Sequence, residues 1–186
     1  MTITKKEIRK LYKEYKVTEN IIAHMEKVAK FALNLCEKFE KRGHKIDKKS
    51  VISACLLHDV LRYCDFKTIP DKSPEIWAKI RKKYNEIGHE KAMAKILKKN
   101  GHSKIANLVE KHDFFKVDNL KTIEEKIVFY SDKRVDHDKV VSLKKRFKEG
   151  RKRNFSDCKN TAEIDVLESK IFKLEKEINF LLKKRQ

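Results

Sequence analysis

The sequence predicts an all-α protein, and three observations support this fold class. The 186 residues include only 4 Gly and 2 Pro, so few residues interrupt a helix. Apolar residues recur at spacings of three and four along most of the chain, which places them on one face of a helix. No segment shows the apolar and polar alternation with a period of two that is typical of a half-buried strand. We therefore expect a bundle of about seven helices, followed by an additional C-terminal amphipathic helix.

Capping and helix-breaking residues divide the chain into these helices. Ser73, followed by Pro74, marks one start, and Thr122 with Glu125 has the spacing of a capping box. Together with the apolar periodicity, such signals predict helices at about 5–15, from Thr18 to near Gly43, from Asp47 through His58, from Ser73, from Gly88 to Gly101, through Ile105 to His112, and from Thr122 through Asp132.

The C-terminal segment has a heptad pattern. After Thr161 the apolar residues alternate spacings of three and four, at Ile164, Leu167, Ile171, Leu174, Ile178 and Leu181. Such a seam either pairs with a second copy as a short coiled coil, which would make a homodimer, or packs on its own domain. The two are nearly balanced, with a slight preference for packing in cis. We divide the chain into a domain at 1–150, with its motif-bearing core at about 18–148, and a basic linker and helix at 151–186.

Composition excludes several classes of protein. The start of the chain is polar and no apolar run approaches the roughly 18 residues of a membrane span, so we expect a cytoplasmic protein without a membrane partner. Cys36, Cys55, Cys64 and Cys158 lack paired spacing, which favours reduced packing residues over a thiolate metal site.

The formal net charge of +19 is strongly basic. Most of the Lys residues are spread over predicted helix exteriors, as on an ordinary solvated surface. The stretch from Leu143 to Asn154 is denser in cations, and it is either an anion-binding patch or an exposed linker. The sequence therefore does not decide whether the protein binds nucleic acid.

Several polar side chains occupy positions on apolar helix faces. His24, for example, is three residues after Ile21 and four before Val28. Burying imidazoles and carboxylates requires a partner, and a divalent metal ion serves both. His44, His102 and His137 lie in glycine-flanked or polar contexts instead, and we expect them in loops or on the surface. The inward-facing set is His24, His58, His89, His112 and Asp132, with Asp59 directly after His58.

The order and context of these residues resemble the HD superfamily of metal-dependent phosphohydrolases. The matching segments are 22–29 around His24, 56–60 around the His58-Asp59 pair, and 129–134 around Asp132. His89 and His112 occur where binuclear members of the superfamily place two further histidines. Many members have Gly and Lys two and three residues after the pair, whereas this chain has Leu61 and Arg62, so a cation is retained.

The resemblance implies a metal-dependent phosphohydrolase that acts on a nucleotide or another small phosphate ester. It implies two divalent ions (Fe, Mn, Zn, Co or Mg), with Asp59 as the residue that bridges them. Metal coordination lowers the pKa of water and supplies the nucleophile. Arg62 and Lys133 are the candidate phosphate-binding cations and Arg134 a weaker one, while Asp113 is expected to be incidental.

Two alternatives stay open: a nucleotide- or RNA-binding protein that keeps the scaffold without hydrolysis, and an interaction module with a structural metal whose C-terminal helix recruits a partner.

Overall fold

The structure is a computed structural model that describes residues 3–66, 68, 70–84, 86–154 and 161–183. The regular structure in these residues is helical apart from one short hairpin, which confirms the all-α class. Two 3₁₀ helices lie at Arg62–Asp65 and Phe114–Asn119. The α-helices of the described part of the chain are α1 Lys5–Glu14, α2 Glu19–Glu40, α3 Lys48–Cys55, α4 Glu75–Tyr84, α5 Gly88–Lys99, α6 Ser103–Glu110, α7 Ile123–Lys133, α8 Leu143–Asn154 and α9 Ala162–Lys183.

The helix starts follow the expected caps in most cases. Asp47 accepts a hydrogen bond from the backbone N–H of Ser50 at the start of α3, and Thr122 and Glu125 form the expected capping box of α7. Thr18 occupies the N-cap position of α2, but its side chain makes no capping hydrogen bond. The sequence thus predicted all three helix starts correctly. At Thr18 the start of α2 lacks the side-chain hydrogen bond that the other two have.

The third helix is shorter than expected. It ends at Cys55, so His58 and Asp59 do not lie in a helix but in the tight turns that follow it. In these turns the hydrogen bonds span three residues, as from the N–H of Leu57 to the carbonyl of Ala54 at 3.1 Å. The expectation was wrong because the segment is buried on nearly all sides, and an apolar run does not distinguish a helix from a buried 3₁₀-like turn.

The core lies around α3, which contacts α2, α6 and α7. Phe39 of α2, Val51 of α3, Val109 of α6 and Ile127 of α7 are fully or almost fully buried there. Helices α2 and α7, which carry His24 and Asp132, therefore pack against one central element, whereas α5, which carries His89, packs on α6.

A small hairpin follows α7. Strand β1, Val135–Asp136, pairs antiparallel with β2, Lys139–Val140, and both strands contact α2. His137 lies in the turn with a positive φ of 54°. With two residues per strand, the hairpin is too short to leave a periodic signal in the sequence.

The heptad seam of α9 packs on its own chain, as the slight preference for cis packing anticipated. Helix α9 contacts α2, α7 and the 3₁₀ helix Phe114–Asn119. A coiled-coil dimer through this seam would have to replace these intramolecular contacts. Its buried residues are Ile164, Leu167, Ile171, Leu174 and Ile178.

The expected basic linker is partly helical. Residues 151–154 belong to α8, so the boundary expected after residue 150 falls inside a helix. Residues 155–160, which include Cys158, lie outside the described residues. Among the helices that are described, none combines the length and the apolar character that crossing a membrane requires.

Candidate metal centre

The six inward-facing residues come together from five parts of the chain. His24 lies on α2, Asp132 in the last turn of α7, and His89 in the first turn of α5. The pair His58-Asp59 follows α3, and His112 follows α6. The prediction that all six face the interior agrees with their burial, since the most exposed of the four imidazoles, that of His24, has only 11% of its side-chain surface accessible.

One half of the cluster is formed by His24, His58 and Asp132. The Nε2 atoms of His24 and His58 lie 3.2 and 3.5 Å from Oδ1 of Asp132. Oδ2 of Asp59 lies 3.9 and 3.7 Å from the same two nitrogen atoms. Two imidazoles and two carboxylates therefore surround one small space.

The other half is formed by His89 and His112. Oδ1 of Asp59 lies 2.9 Å from Nε2 of His89 and 3.7 Å from Nε2 of His112. The two Nε2 atoms are 3.2 Å apart. Asp59 thus presents one carboxylate oxygen to each pair of imidazoles.

Hydrogen bonds on the outer side of the cluster fix the tautomers of three histidines. Nδ1 of His58 donates to the carbonyl of Cys55 at 2.8 Å, and Nδ1 of His112 donates to the carbonyl of Val109 at 2.6 Å. Nδ1 of His24 donates to the carbonyl of His137 at 2.7 Å. A carbonyl oxygen only accepts, so the proton is on Nδ1 and the Nε2 lone pair of the neutral ring faces inward.

Asp65 has the corresponding role at His89. Its Oδ2 accepts from Nδ1 of His89, and its Oδ1 accepts from the backbone N–H of the same residue at 3.2 Å. The sequence reasoning missed Asp65, and it also missed the three carbonyl groups, whose contribution leaves no mark in residue identity. Asp65 could have been noticed as a carboxylate seven residues after His58, which is about two helical turns.

The donor set fits divalent metal ions. Nε2 of His58 is buried and has no hydrogen-bond partner among the described residues. Lone pairs of imidazoles that face carboxylate oxygens repel each other unless a cation or a proton lies between them. Imidazole and carboxylate ligands, each held from behind by a second hydrogen bond, are the usual surroundings of a protein metal ion. Two groups that share Asp59 could hold an ion: His24, His58 and Asp59, and Asp59, His89 and His112.

The ionisation of the cluster agrees with this interpretation. Burial by itself raises the pKa values of Asp59 and Asp132. Neighbouring imidazoles and, for Asp132, the ammonium of Lys133 outweigh burial and hold both pKa values well below the usual range. Burial lowers the pKa of His89, but its hydrogen bonds to Asp59 and Asp65 raise the pKa to about 9. In the metal-free chain a proton therefore occupies His89, and a metal ion would displace it.

Two candidate phosphate-binding cations line a cavity of about 320 Å³ beside the cluster. Nη1 of Arg62 lies 3.3 Å from Oδ2 of Asp65. Nζ of Lys133 donates to Oδ2 of Asp132 at 2.7 Å and to the carbonyl of His112 at 3.0 Å. Both side chains therefore adjoin the cluster, and Lys133 also orients Asp132.

Arg134, the weaker candidate for a phosphate-binding cation, is not among the residues that line the cavity. Its guanidinium donates to the hydroxyl of Tyr130, to Glu175 of α9 and to the carbonyl of Val141, and it lies over the ring of Phe31. The residue after Lys133 projects from a different side of α7, and there it connects α7 to α9.

Three further residues differ in how well they match expectation. His102 is buried, with 7% of its surface exposed, because α5 turns directly into α6 after Gly101 and the two helices pack together. His137 is exposed as expected, but its carbonyl supports His24. Asp113, which was expected to be incidental to the metal site, accepts from the N–H of Phe115 at the start of a 3₁₀ helix and also lines the cavity.

Helices α8 and α9 form a wall of the cavity, and none of their residues was among the predicted site residues. Helix α8 is the stretch that the sequence left as either an anion-binding patch or an exposed linker. Leu143 and Phe147, spaced by four and both buried, were the available sign that this stretch is an amphipathic helix. The residues that α8 and α9 contribute to the cavity are Arg146, Phe147, Gly150, Arg151, Ile164 and Glu168.

Comparisons with known proteins agree with this architecture. A family model described as the HD domain matches residues 21–135, which is more than half of the chain. A curated relative, the tRNA (cytidine(56)-2'-O)-methyltransferase of Picrophilus torridus, is 28% identical over 153 residues, which cover 74% of this chain and 38% of that protein. The chain thus spans well under two thirds of the length of this relative. The comparison with solved structures found no match for this chain. With the matched region enclosing His24, the His58-Asp59 pair and Asp132, the chain belongs to the HD domain family, whose members include metal-dependent phosphohydrolases.

Proposed function

We propose that this chain is a metal-dependent phosphohydrolase that cleaves a nucleotide or another small phosphate ester at a two-metal site. The observation that carries the proposal is the position of Asp59, whose two oxygen atoms face different pairs of imidazoles. A site for a single metal ion would need only one of these pairs of imidazoles. Membership of the HD domain family supports hydrolysis as the reaction.

The ligand assignment follows from the two halves of the cluster. Asp59 would contribute to both ions. His24, His58 and Asp132 would complete one site, and His89 and His112 the other. Because four of the six ligands are imidazoles, the set favours Mn, Fe, Co or Zn over Mg, which prefers oxygen ligands.

The remaining roles belong to side chains along the cavity. Divalent ions, when bound, act as Lewis acids and lower the pKa of water to about 7, which supplies a nucleophile at neutral pH. Arg62 and Lys133 would bind the oxygen atoms of the phosphate and balance the charge that develops on them. Lys133 also keeps Asp132 in position through its hydrogen bond to Oδ2.

Metal content and hydrolysis together test the proposal. The purified full chain would be reconstituted separately with Mn, Fe, Co, Zn and Mg. It would then be assayed on p-nitrophenyl phosphate, nucleotides, dinucleotides and cyclic dinucleotides. We expect close to two equivalents of metal per chain and hydrolysis of at least one class of substrate. Asp59→Asn should lose both, whereas Asp71→Asn, which neutralises an exposed carboxylate, should change neither.

Two results would contradict the proposal. One is a metal content well under one equivalent after reconstitution. The other is hydrolysis at the wild-type rate by Asp59→Asn, since a contaminating phosphatase would then be the source.

A second candidate function is RNA binding without hydrolysis. The net charge of +19 and the similarity to a protein named as a tRNA methyltransferase favour it. The expected sign is binding of a tRNA or an RNA duplex whose affinity falls steeply with salt concentration, because each phosphate contact releases counterions. RNA binding that persists in Asp59→Asn, in a chain that hydrolyses no phosphate ester, would favour this candidate over the first.

A further inference from the structure

The cavity beside the metal cluster is closed by residues that lie outside the matched HD region. The family model ends at residue 135, whereas α8 begins at Leu143. Helix α8 contributes Arg146 and Arg151 to the lining of the same cavity as Asp59 and Asp132. A substrate held in this cavity with one phosphate at the cluster could therefore also contact basic side chains of α8.

The charges around Arg146 are not balanced. Oδ1 of Asp136 lies 3.1 Å from Nη1 of Arg146 and 2.9 Å from Nη2 of Arg153. One carboxylate thus serves two guanidinium groups, which leaves an excess positive charge. Arg146 lines the cavity, and 24% of its side-chain surface is accessible, so its guanidinium can pair with an anion in addition to Asp136.

Arg151 has the opposite arrangement. Its guanidinium donates to both oxygen atoms of Glu168, at 2.8 and 2.7 Å, and also to Asp165. Two carboxylates therefore surround one cation, and the contacts join α8 to α9. Because its guanidinium is fully engaged by these carboxylates, Arg151 is a structural contact between the two helices, and Arg146 is the better candidate for binding an anion.

The cavity also offers an aromatic surface. Phe115 lines it with 53% of its surface exposed, and its ring packs edge-on against that of Phe114. An exposed ring in a cavity of about 320 Å³ provides a face for a planar base.

We propose that Arg146 binds a second phosphate group of the substrate, and that the chain therefore prefers a nucleotide with at least two linked phosphates over a monophosphate. This inference rests on the proposed function, because it assigns the first phosphate to the metal cluster. A guanidinium forms paired, charge-assisted hydrogen bonds with phosphate oxygens, which explains why an arginine is suited to this position.

The test compares two ligands and two variants by calorimetric titration of the full, metal-loaded chain. The ligands are α,β-methylene-ADP, whose phosphates are joined by a carbon that resists hydrolysis, and AMP. Arg146→Gln should weaken binding of α,β-methylene-ADP by about 10- to 100-fold, the value of one or two charge-assisted hydrogen bonds, and leave AMP within about twofold. Arg153→Gln is the matched control, because Arg153 pairs with the same Asp136 but does not line the cavity.

Three outcomes would overturn the inference. Equal weakening of both ligands by both variants would indicate general electrostatic attraction. Equal weakening of both ligands by Arg146→Gln alone would place Arg146 at the first phosphate. Equal affinity of the wild-type chain for the two ligands would show that no second phosphate is bound. In each case, hydrolysis of p-nitrophenyl phosphate by the same preparation shows whether the proposed function itself holds.

Gly150 allows an independent steric test on the same wall. A Cβ at this position meets no atom within 4 Å, so a side chain there should not disturb α8, and the residue lines the cavity. Gly150→Leu should weaken binding of α,β-methylene-ADP, whereas Gly150→Ala should have a smaller effect. Unchanged affinity in Gly150→Leu, with thermal unfolding at the wild-type temperature, would show that the ligand does not lie along α8.

Discussion

The individual ligands of the cluster depend on hydrogen bonds behind them. His58 and His112 each donate Nδ1–H to the carbonyl of the residue three positions earlier. In these two cases the turn that contains the histidine also orients its ring. His89 differs because its outer partner is a side chain, the carboxylate of Asp65. This difference makes the outer support of His89 accessible to mutation.

At the same scale, Asp65→Asn should weaken metal binding at one of the two sites. The amide retains the size of the carboxylate but loses its charge, and partners of metal-bound histidines contribute about 10- to 100-fold in affinity. Titration with Mn²⁺ should show one site weakened by this amount and the other unchanged. Asp71→Asn, on the exposed surface, is the control. Equal affinity of both sites in Asp65→Asn and the wild-type chain would contradict the role assigned to Asp65.

Among the helices, α3 is the one whose start most clearly depends on an ionised cap. Asp47 accepts from the backbone and side chain of Ser50, and its Oδ2 lies 2.6 Å from Nζ of Lys104 on α6. The hydrogen bond from Lys104, followed by those from Ser50, lowers the pKa of Asp47 to about 2. The cap therefore connects the central helix to a neighbour.

Asp47→Ala should lower the free energy of unfolding by about 1 kcal/mol at pH 7, mostly through the lost cap, since the ion pair with Lys104 is solvent-exposed. The folded-state pKa is depressed, so the stabilisation is complete above the unfolded-state pKa of about 3.9 and is lost as the pH falls toward the folded value. Urea unfolding between pH 7 and pH 2 should show the two chains converging below about pH 4. A difference that stays constant down to pH 2 would argue against an ionised cap.

Helix α9 gives a second prediction at the level of elements. Ile171 is fully buried in the heptad seam, whereas Val166 on the same helix is 54% exposed. Ile171→Ala should cost about 2–5 kcal/mol of unfolding free energy, and Val166→Ala less than about 0.5 kcal/mol. Urea unfolding at several protein concentrations checks both values. If the cost of Ile171→Ala depended on concentration, the seam would be buried between two copies and not within one chain.

For the whole molecule, the proposed metal binding at the cluster would be coupled to folding. Its ligands are spread from His24 to Asp132, so a metal ion held by them binds the folded chain but not the unfolded one. Free Mn²⁺ at about 100 times the dissociation constant should stabilise the chain by about 2.7 kcal/mol for each site. Thermal unfolding with Mn²⁺ and with EDTA should differ accordingly. The difference should vanish in Asp59→Asn, and a shift of the same size in that variant would indicate binding elsewhere.

The two helices that follow the HD region, α8 and α9, shape the cavity beside the cluster. The matched region supplies the candidate metal ligands, and α8 and α9 contribute to the cavity beside them. A chain with the same HD region and a different C-terminal pair of helices would keep the cluster but present another wall to the substrate.

Features of the fold that depend on residues close together along the chain could be predicted from the sequence, and features that depend on packing could not. Helix starts at Asp47 and Thr122 follow from hydrogen bonds across three residues, so the sequence located them correctly. The inward orientation of His24 and Asp132 follows from periodicity, and it was predicted correctly for the same reason. The end of α3 was predicted wrongly, because the apolar pattern around His58 is compatible with both a helix and a buried turn.

Local spacing and residue type in the sequence were enough to predict the helical class, the family resemblance and the six residues that face inward. The position of Asp59 between both imidazole pairs, the support of His89 by Asp65 and the place of Arg146 in the cavity wall became apparent only in the folded chain. Those relations join residues far apart along the chain. They depend on how the helices pack, and no local pattern in the sequence specifies the distance between two side chains brought together by packing.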